Sequence, residues 1–552
     1  MPAPDLILTN ANVYTVDAGR SRAEAVAVRG GRIVAVGAAG EVEPLAGSRT
    51  QVLDLARRLV LPGFIDAHMH AADAVHTLLG VPLEGLGTVD ACLDAVARFA
   101  RAHPDQPWVH GFGWSADLTP PERLRASELD AVVADRPVAL FDDGYHRAWV
   151  NHAALELAAI DAATPDPDNG IIERLPDGAP SGLLEEGPAF LLDGHLQFSA
   201  TDMLTSLRHF GSHVAAPLGL TTVQDSGMKI GGPEPQAWAA FIDDESQGFR
   251  GALSWWIRED RPLDDQLAAA VAGRKRLASP VAQARTAKFF VDGVIEGHSA
   301  LLSEPYLDRP ASRGTSIWRP DALRAAATAA AGAGLQLHFH AIGDAAVSLA
   351  LDSIEAAAQA AGRAAVQRPL IAHLQLAGSA HARRMATTGA IAVMQPAWLD
   401  GTAAMVDWYE PLVGRPRASH QYPMKTFWDH GVRVASSSDF PVPPAPDPLV
   451  GIQKGVLRTV HPEVEPSDAM WPRERVTVEQ MIESYTINGA YANFLEDETG
   501  SIEVGKAADL VVLSEDITRC QPQDIAHAEV ELTLFGGRAT HASGPFAGLT
   551  TD

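Results

Sequence analysis

Eight short apolar, β-rich runs, each closing on polar or turn residues, dominate the chain between residues 61 and 445. They read "GFIDAHMH", "GLTTVQDSG", "ALSWWIRED", "AKFFVDG", "LQLHFHAIGD", "PLIAHLQ", "AIAVMQP" and "VRVASSSDFPV". Near-continuous apolar strands of this kind suit a parallel sheet covered by helices on its faces. The intervening segments supply those helices. "PDALRAAATAAAGAG" and "SAHARRMATTG" have helix-forming composition, and the alanine-rich tracts near 323–334 and 355–366 read the same way. Eight strands with helical spacers specify an α/β fold, a (β/α)8 barrel.

At 552 residues the chain is longer than one barrel needs. Residues 1–60 carry short strands, among them "EAVAVRGGRIVAVG", where Gly30-Gly31 is placed as a hairpin turn. The last segment repeats that style in "GSIEVGKAADLVVLS" and "AEVELTLFGGRATH". Neither end has enough strands to bury a face alone, so 1–60 and 500–545 are expected to form one composite β domain. The barrel then spans 61–499. The gap after its first strand, about 72–205, exceeds one helix and holds its own β and turn material, which predicts an inserted subdomain over the barrel mouth.

Charge and cysteine content narrow the function. Acidic residues outnumber basic ones by 69 to 43, giving a net charge of −26 with no offsetting basic run. Nucleic acid and anionic membrane surfaces are poor partners for such a chain, and a small-molecule substrate is the expectation. No apolar stretch of about 18 residues and no leader-like opening is present, so the chain reads as cytoplasmic. Cys92 and Cys520 lie far apart, which supports neither a disulfide framework nor a thiolate site.

Metal-binding residue types gather where the barrel strands end. His68 and His70 finish the first run, two positions apart and therefore on one face of a strand. Lys288 lies in the fourth run, His338 and His340 in the fifth, His373 in the sixth, and Asp439 closes the eighth. All strand carboxyl ends of a barrel meet on one face, so these residues converge. Imidazoles plus a carboxylate suit Zn2+ or a similar divalent ion that activates water. A lysine ammonium cannot be a ligand. Lys288 fits as the carbamate formed by CO2 addition, which could bridge two ions; pairing with Asp292 or Asp225 is the alternative. His338 lies one layer deeper than His340 and is read as a core histidine.

The motifs "LPGFIDAHMH", "FDDGYHRAWVN", "HAIGDAAV", "IAHLQ", "SSSDFPV", "YTINGAYA" and "GSIEVGKAADLVVL" occur in an order that resembles the amidohydrolase superfamily, in the branch that includes N-substituted formamide deformylase. The resemblance runs along nearly the whole chain. It implies an elliptically closed barrel with a composite β domain, and a ligand set of His68, His70, carboxylated Lys288, His340, His373 and Asp439 around one or two divalent ions, zinc by preference. It also implies that Asp439 shuttles a proton to the leaving nitrogen. One departure is Ala372, where the branch often has an acidic residue; alanine supplies no side-chain hydrogen bond in support of the ligand set.

His146, in the insertion motif, is a candidate for oxyanion support. Trp114, Trp149, Trp398 and Trp408 are candidates for an apolar substrate pocket, with core packing as the alternative. Asp66, Glu186, Asp225 and Gln395 are candidate supports around the ligands. The expected activity is hydrolysis of an amide or N-formyl C–N bond on a largely apolar small molecule. Deamination, lactone or ester hydrolysis and C–C cleavage use the same barrel face and stay open, and the complete ligand set argues against a non-catalytic binding scaffold. By analogy with many superfamily members, a homodimer is expected.

Overall fold

The computed structural model describes residues 2–549 except 76–79, 116–117, 143–146, 168–169, 191–197, 245–246, 400–401, 444, 460, 462–463 and 465–468. Two compact units emerge. One comprises residues 1–71, 208–440 and 445–552; the other comprises 72–207 with 441–444.

An eight-stranded parallel sheet forms the centre of the larger unit. Its strands are β1 (Phe64–Met69), β2 (Leu220–Lys229), β3 (Arg250–Trp256), β4 (Ala282–Phe290), β5 (Gln336–Ala341), β6 (Leu370–His373), β7 (Ile391–Met394) and β8 (Val434–Ser436). Spatial order equals chain order from β1 to β8. The sheet nearly closes into a barrel: beyond β8, Asp439 N–H donates to His68 O at 2.9 Å and His70 N–H donates to Phe440 O at 2.7 Å. Asp66 strengthens the seam, its carboxylate accepting from His68 N at 3.1 Å and from Ser438 N at 2.9 Å. Helices Pro320–Gly332, Asp344–Ala361 and Ser379–Thr388 occupy the alanine-rich spacers, the second and third ending where Gly362 and Gly389 take φ of 86° and 75°.

Strands from both chain ends share a six-stranded sheet in the same unit. Leu59–Pro62 and Asn12–Tyr14 lie in it beside Leu510–Leu513, Val530–Phe535 and Arg538–Ala542. A four-stranded sheet completes the β region, and in it Ala25–Arg29 and Arg32–Gly37 form the hairpin turned by Gly30 and Gly31, both with positive φ. Leu6, Val13 and Val28 from one end pack with Leu510, Val512 and Leu532 from the other. Gly63 marks the passage from this sheet into β1. A Cβ there would sit 2.3 Å from Thr221 Oγ1, so only glycine lets the chain cross so close to β2.

The smaller unit is built on its own six-stranded sheet, which includes Val109–Trp114, Val138–Asp142, Arg147–Val150 and Pro180–Glu186. Helix Val89–Ala102, capped by Thr88 accepting from Ala91 N, contributes Val89, Cys92 and Val96 to its core. Trp114 and Trp149 lie fully buried in that core.

Candidate metal centre

The ends of the barrel strands bring the histidines together in the larger unit. Ligand-type atoms of His68, His70 and Asp439 all lie within 4.8 Å of one another. Asp439 Oδ1 is 3.2 Å from His68 Nε2 and 3.3 Å from His70 Nε2. His68 sits on β1, whereas His70 lies just past its end, at the turn held by Phe440. Asp439 reaches the histidines from a left-handed backbone, φ 65°, and His373 does so too at φ 77°. Both lie at strand ends, where strained backbone aims a side chain that regular strand geometry would not.

Lys288 starts one layer deeper. It pairs in register with His338, but its four-carbon stem carries Nζ to within 3.4 Å of His68 Nε2. Burial lowers its pKa to about 7 against the opposing pull of Asp439, so much of it is free amine at neutral pH. The His373 ring lies 5.1 Å from that of His68 and 4.3 Å from that of His340. Both His373 nitrogens are buried without a hydrogen-bond partner among the described residues. Burial holds the His68 and His373 imidazoles well below their ordinary pKa, which leaves them neutral with a lone pair to give. Burial pushes the Asp439 carboxyl upward, but the hydrogen bond with His70 and the pull of His373, His70 and Lys288 together outweigh it and hold the group below its ordinary pKa, ionised.

This donor set fits a divalent cation. Neutral imidazoles, one carboxylate and orphaned buried nitrogens are costly in a dry core unless an ion draws on them. His68, His70 and Asp439 are the residues gathered closely enough to hold it, with His373 and Lys288 beside them; His340 Nε2 instead lies 3.4 Å from Gly293 O.

A model of the amidohydrolase family matches residues 51–541. The chain belongs to the amidohydrolase family. Among curated relatives of this amidohydrolase, Protein LONG AFTER FAR-RED 3 of Arabidopsis thaliana is 31% identical over 97% of the chain and 91% of its own length. N-substituted formamide deformylase of Arthrobacter pascens is 30% identical over 97% of both chains. Among solved structures, an uncharacterized metal-dependent hydrolase from Pyrococcus horikoshii OT3 shares the fold at a TM-score of 0.76, with 22% identity, 94% of this chain and 99% of that one covered.

Other sequence candidates fall in different places. Trp114 and Trp149 do not offer a face to a substrate: both are fully buried, their indole N–H groups donating to Leu140 O at 2.8 Å and Arg125 O at 3.0 Å. The expectation of a pocket role mistook core aromatics of the insertion for lining residues. Trp398 is half-buried, 5.6 Å ring to ring from His373, and donates to Ser438 O at 3.2 Å. Trp408 is 58% exposed on helix Ala403–Val413 and stacks on Tyr409. His146 and the side chain of Glu186 lie outside the described residues. Asp225 accepts from Trp238 Nε1 at 2.7 Å, and Gln395 donates to Ser437 Oγ at 2.8 Å.

The Asp292 carboxylate is engaged by backbone N–H groups instead of Lys288. Its carboxylate accepts from the backbone N–H groups of Leu301, Ile342 and Gly343 at 2.8, 3.1 and 2.9 Å, and Oδ1 lies 3.7 Å from His340 Nε2. It thereby ties the loop after β4 to the end of β5 that carries His340. The signal was an aspartate two residues past a strand end, in "FFVDG", facing the "HAIGD" turn.

Proposed function

We propose that this protein is a metal-dependent hydrolase that cleaves an amide or N-formyl C–N bond of a largely apolar small molecule. The observation that carries the reading is the convergence of His68, His70 and Asp439 within 4.8 Å, at strand ends of a barrel, beside neutral His373. The near full-length similarity to N-substituted formamide deformylase supports the choice of bond.

A divalent ion held there, zinc by preference, supplies Lewis-acid polarisation of the carbonyl and acidification of water. Asp439 does the proton work. Ionised and buried, it accepts the proton of the attacking water and passes it to the departing nitrogen, which would otherwise leave as an amide anion. Half-buried Trp398 presents an aromatic face beside His373 for the apolar part of a substrate. Lys288, as free amine, would attack CO2: the N–C bond forms as one C=O π bond opens onto oxygen, and the N–H proton passes to water. The resulting carbamate would offer two further oxygens to a divalent ion.

The test is metal content by plasma mass spectrometry on protein purified without chelator or histidine tag, with amine release from a panel of N-formyl and N-acyl amines. About two ions per chain and turnover abolished by chelation are expected. Full turnover in metal-free protein would remove the metal reading, and turnover of esters alone would remove the amide.

A further inference from the structure

A line of contacts runs inward from Asp439 and ends on a residue with no task so far. His68 Nε2 lies 3.2 Å from Asp439 Oδ1, and the other nitrogen of that ring, Nδ1, lies 2.9 Å from His338 Nε2. His338 is fully buried on β5, and its own Nδ1 has no hydrogen-bond partner among the described residues. It is therefore not a fully satisfied core histidine.

Two neutral imidazoles that meet nitrogen to nitrogen share one hydrogen between them. Where that hydrogen sits on one ring decides the tautomer of the other. With the hydrogen on His338 Nε2, His68 Nδ1 accepts it and the remaining hydrogen of His68 occupies Nε2, aimed at Asp439. With the hydrogen on His68 Nδ1, His338 Nε2 accepts it and His68 turns a bare Nε2 lone pair toward the centre. Both arrangements keep the two rings neutral, so changing from one to the other moves hydrogens without changing the charge of the core. Only the second can ligate an ion.

We propose that His338 is a positioning residue for the metal centre: it accepts the Nδ1–H of His68 and so directs the Nε2 lone pair of His68 at the ion. The proposal rests on the metal-centre reading above. Ligating histidines regularly give their second N–H to a carboxylate, a carbonyl or water. Here a neutral imidazole takes that place. It adds no negative charge to a core that already holds Asp66 and Asp439, both buried. The arrangement leaves the hydrogen of His338 on Nδ1, where no acceptor stands among the described residues. Ion uptake is thus aligned by one hydrogen bond and opposed by one orphaned donor.

The experiment compares His338→Gln with His338→Asn in the full-length chain. A glutamine oxygen reaches the position of the imidazole Nε2, whereas the shorter asparagine reaches only that of Nδ1; both are polar and uncharged. Zinc dissociation constants are measured by competition with a chromophoric chelator, after melting of the metal-free proteins shows them folded. Glutamine is expected within about three-fold of wild type and asparagine weaker by about 10–100-fold. Asparagine binding as tightly as wild type, or glutamine as weakly as asparagine, would overturn the role of His338. Wild type that takes up no zinc would instead overturn the metal reading and this proposal together. Wild type labelled with 15N-histidine provides a second measurement. With zinc bound, the His338 signal, assigned by its loss in His338→Gln, should be that of the Nδ1–H tautomer, and an Nε2–H tautomer there would likewise overturn the proposal.

Discussion

Asp439 and Lys288 show how burial changes what an ordinary side chain can do. Asp439 stays ionised in a dry place because His70 touches it and His373 and Lys288 stand close by, and an ionised carboxylate is what a proton shuttle must be. Asp439→Asn keeps the shape and loses the basic oxygen. It is expected to lower kcat by about 10²–10⁴-fold, measured as amine release at saturating substrate, and a loss under ten-fold would remove the shuttle. Lys288 is the reverse case. Its ammonium is disfavoured by burial, and with the pKa down at about 7 the reactive amine fraction grows as pH rises through that value. Metal-free protein should therefore recover little activity on zinc addition below pH 6. Recovery should rise above pH 7 and be accelerated by bicarbonate. Recovery indifferent to bicarbonate, or Lys288→Ala with full metal content, would exclude the carbamate.

At the scale of elements, the same residue type has opposite fates according to what its strand packs against. The four tryptophans were equivalent as sequence, all near loops or in the insertion. Trp149 lies in strand Arg147–Val150, packed on Leu129, Val133 and Leu140. Trp149→Ala is expected to destabilise the smaller unit by about 3–5 kcal/mol, seen as an earlier denaturant transition, with metal content unchanged because every candidate ligand lies in the other unit. Loss of metal in the folded variant would contradict that separation. Strand ends supply function by a different route. His373 and Asp439 both leave their strands through positive φ, so the aim of each side chain is set by the turn that follows it.

For the whole molecule, the chain ends are as necessary as the barrel. Leu59–Pro62, which leads directly into β1, pairs along its length with Leu510–Leu513. Removing residues 500–552 would strip that strand of its neighbour on one side, leaving only Asn12–Tyr14 on the other, and expose Val13, Val28 and Val60, which now cluster with Leu510 and Val512. The truncated chain is expected to be insoluble, judged by the soluble fraction on expression. A soluble, metal-binding product would show that the barrel folds without its β partner. No helix among the described residues is long and apolar enough to cross a membrane.

The strand runs and the gathering of metal-binding residue types at their ends were legible in the sequence. Apolar runs of period-free burial and histidines spaced two apart are local patterns, and local patterns are what a one-dimensional chain displays; all eight barrel strands fall on the runs that announce them. Gly30-Gly31 was equally plain, because a hairpin turn needs specific residues at specific positions. Pairwise geometry was not legible. That Trp114 and Trp149 would be core, that Asp292 would tie the loop after β4 to the end of the strand bearing His340, and that His338 would meet His68 nitrogen to nitrogen depend on distances between residues up to 270 positions apart. Hydrogen bonding and burial are properties of neighbours in space. The sequence thus determined which chemistry the chain carries, and the tertiary structure alone decided which atoms face one another to perform it.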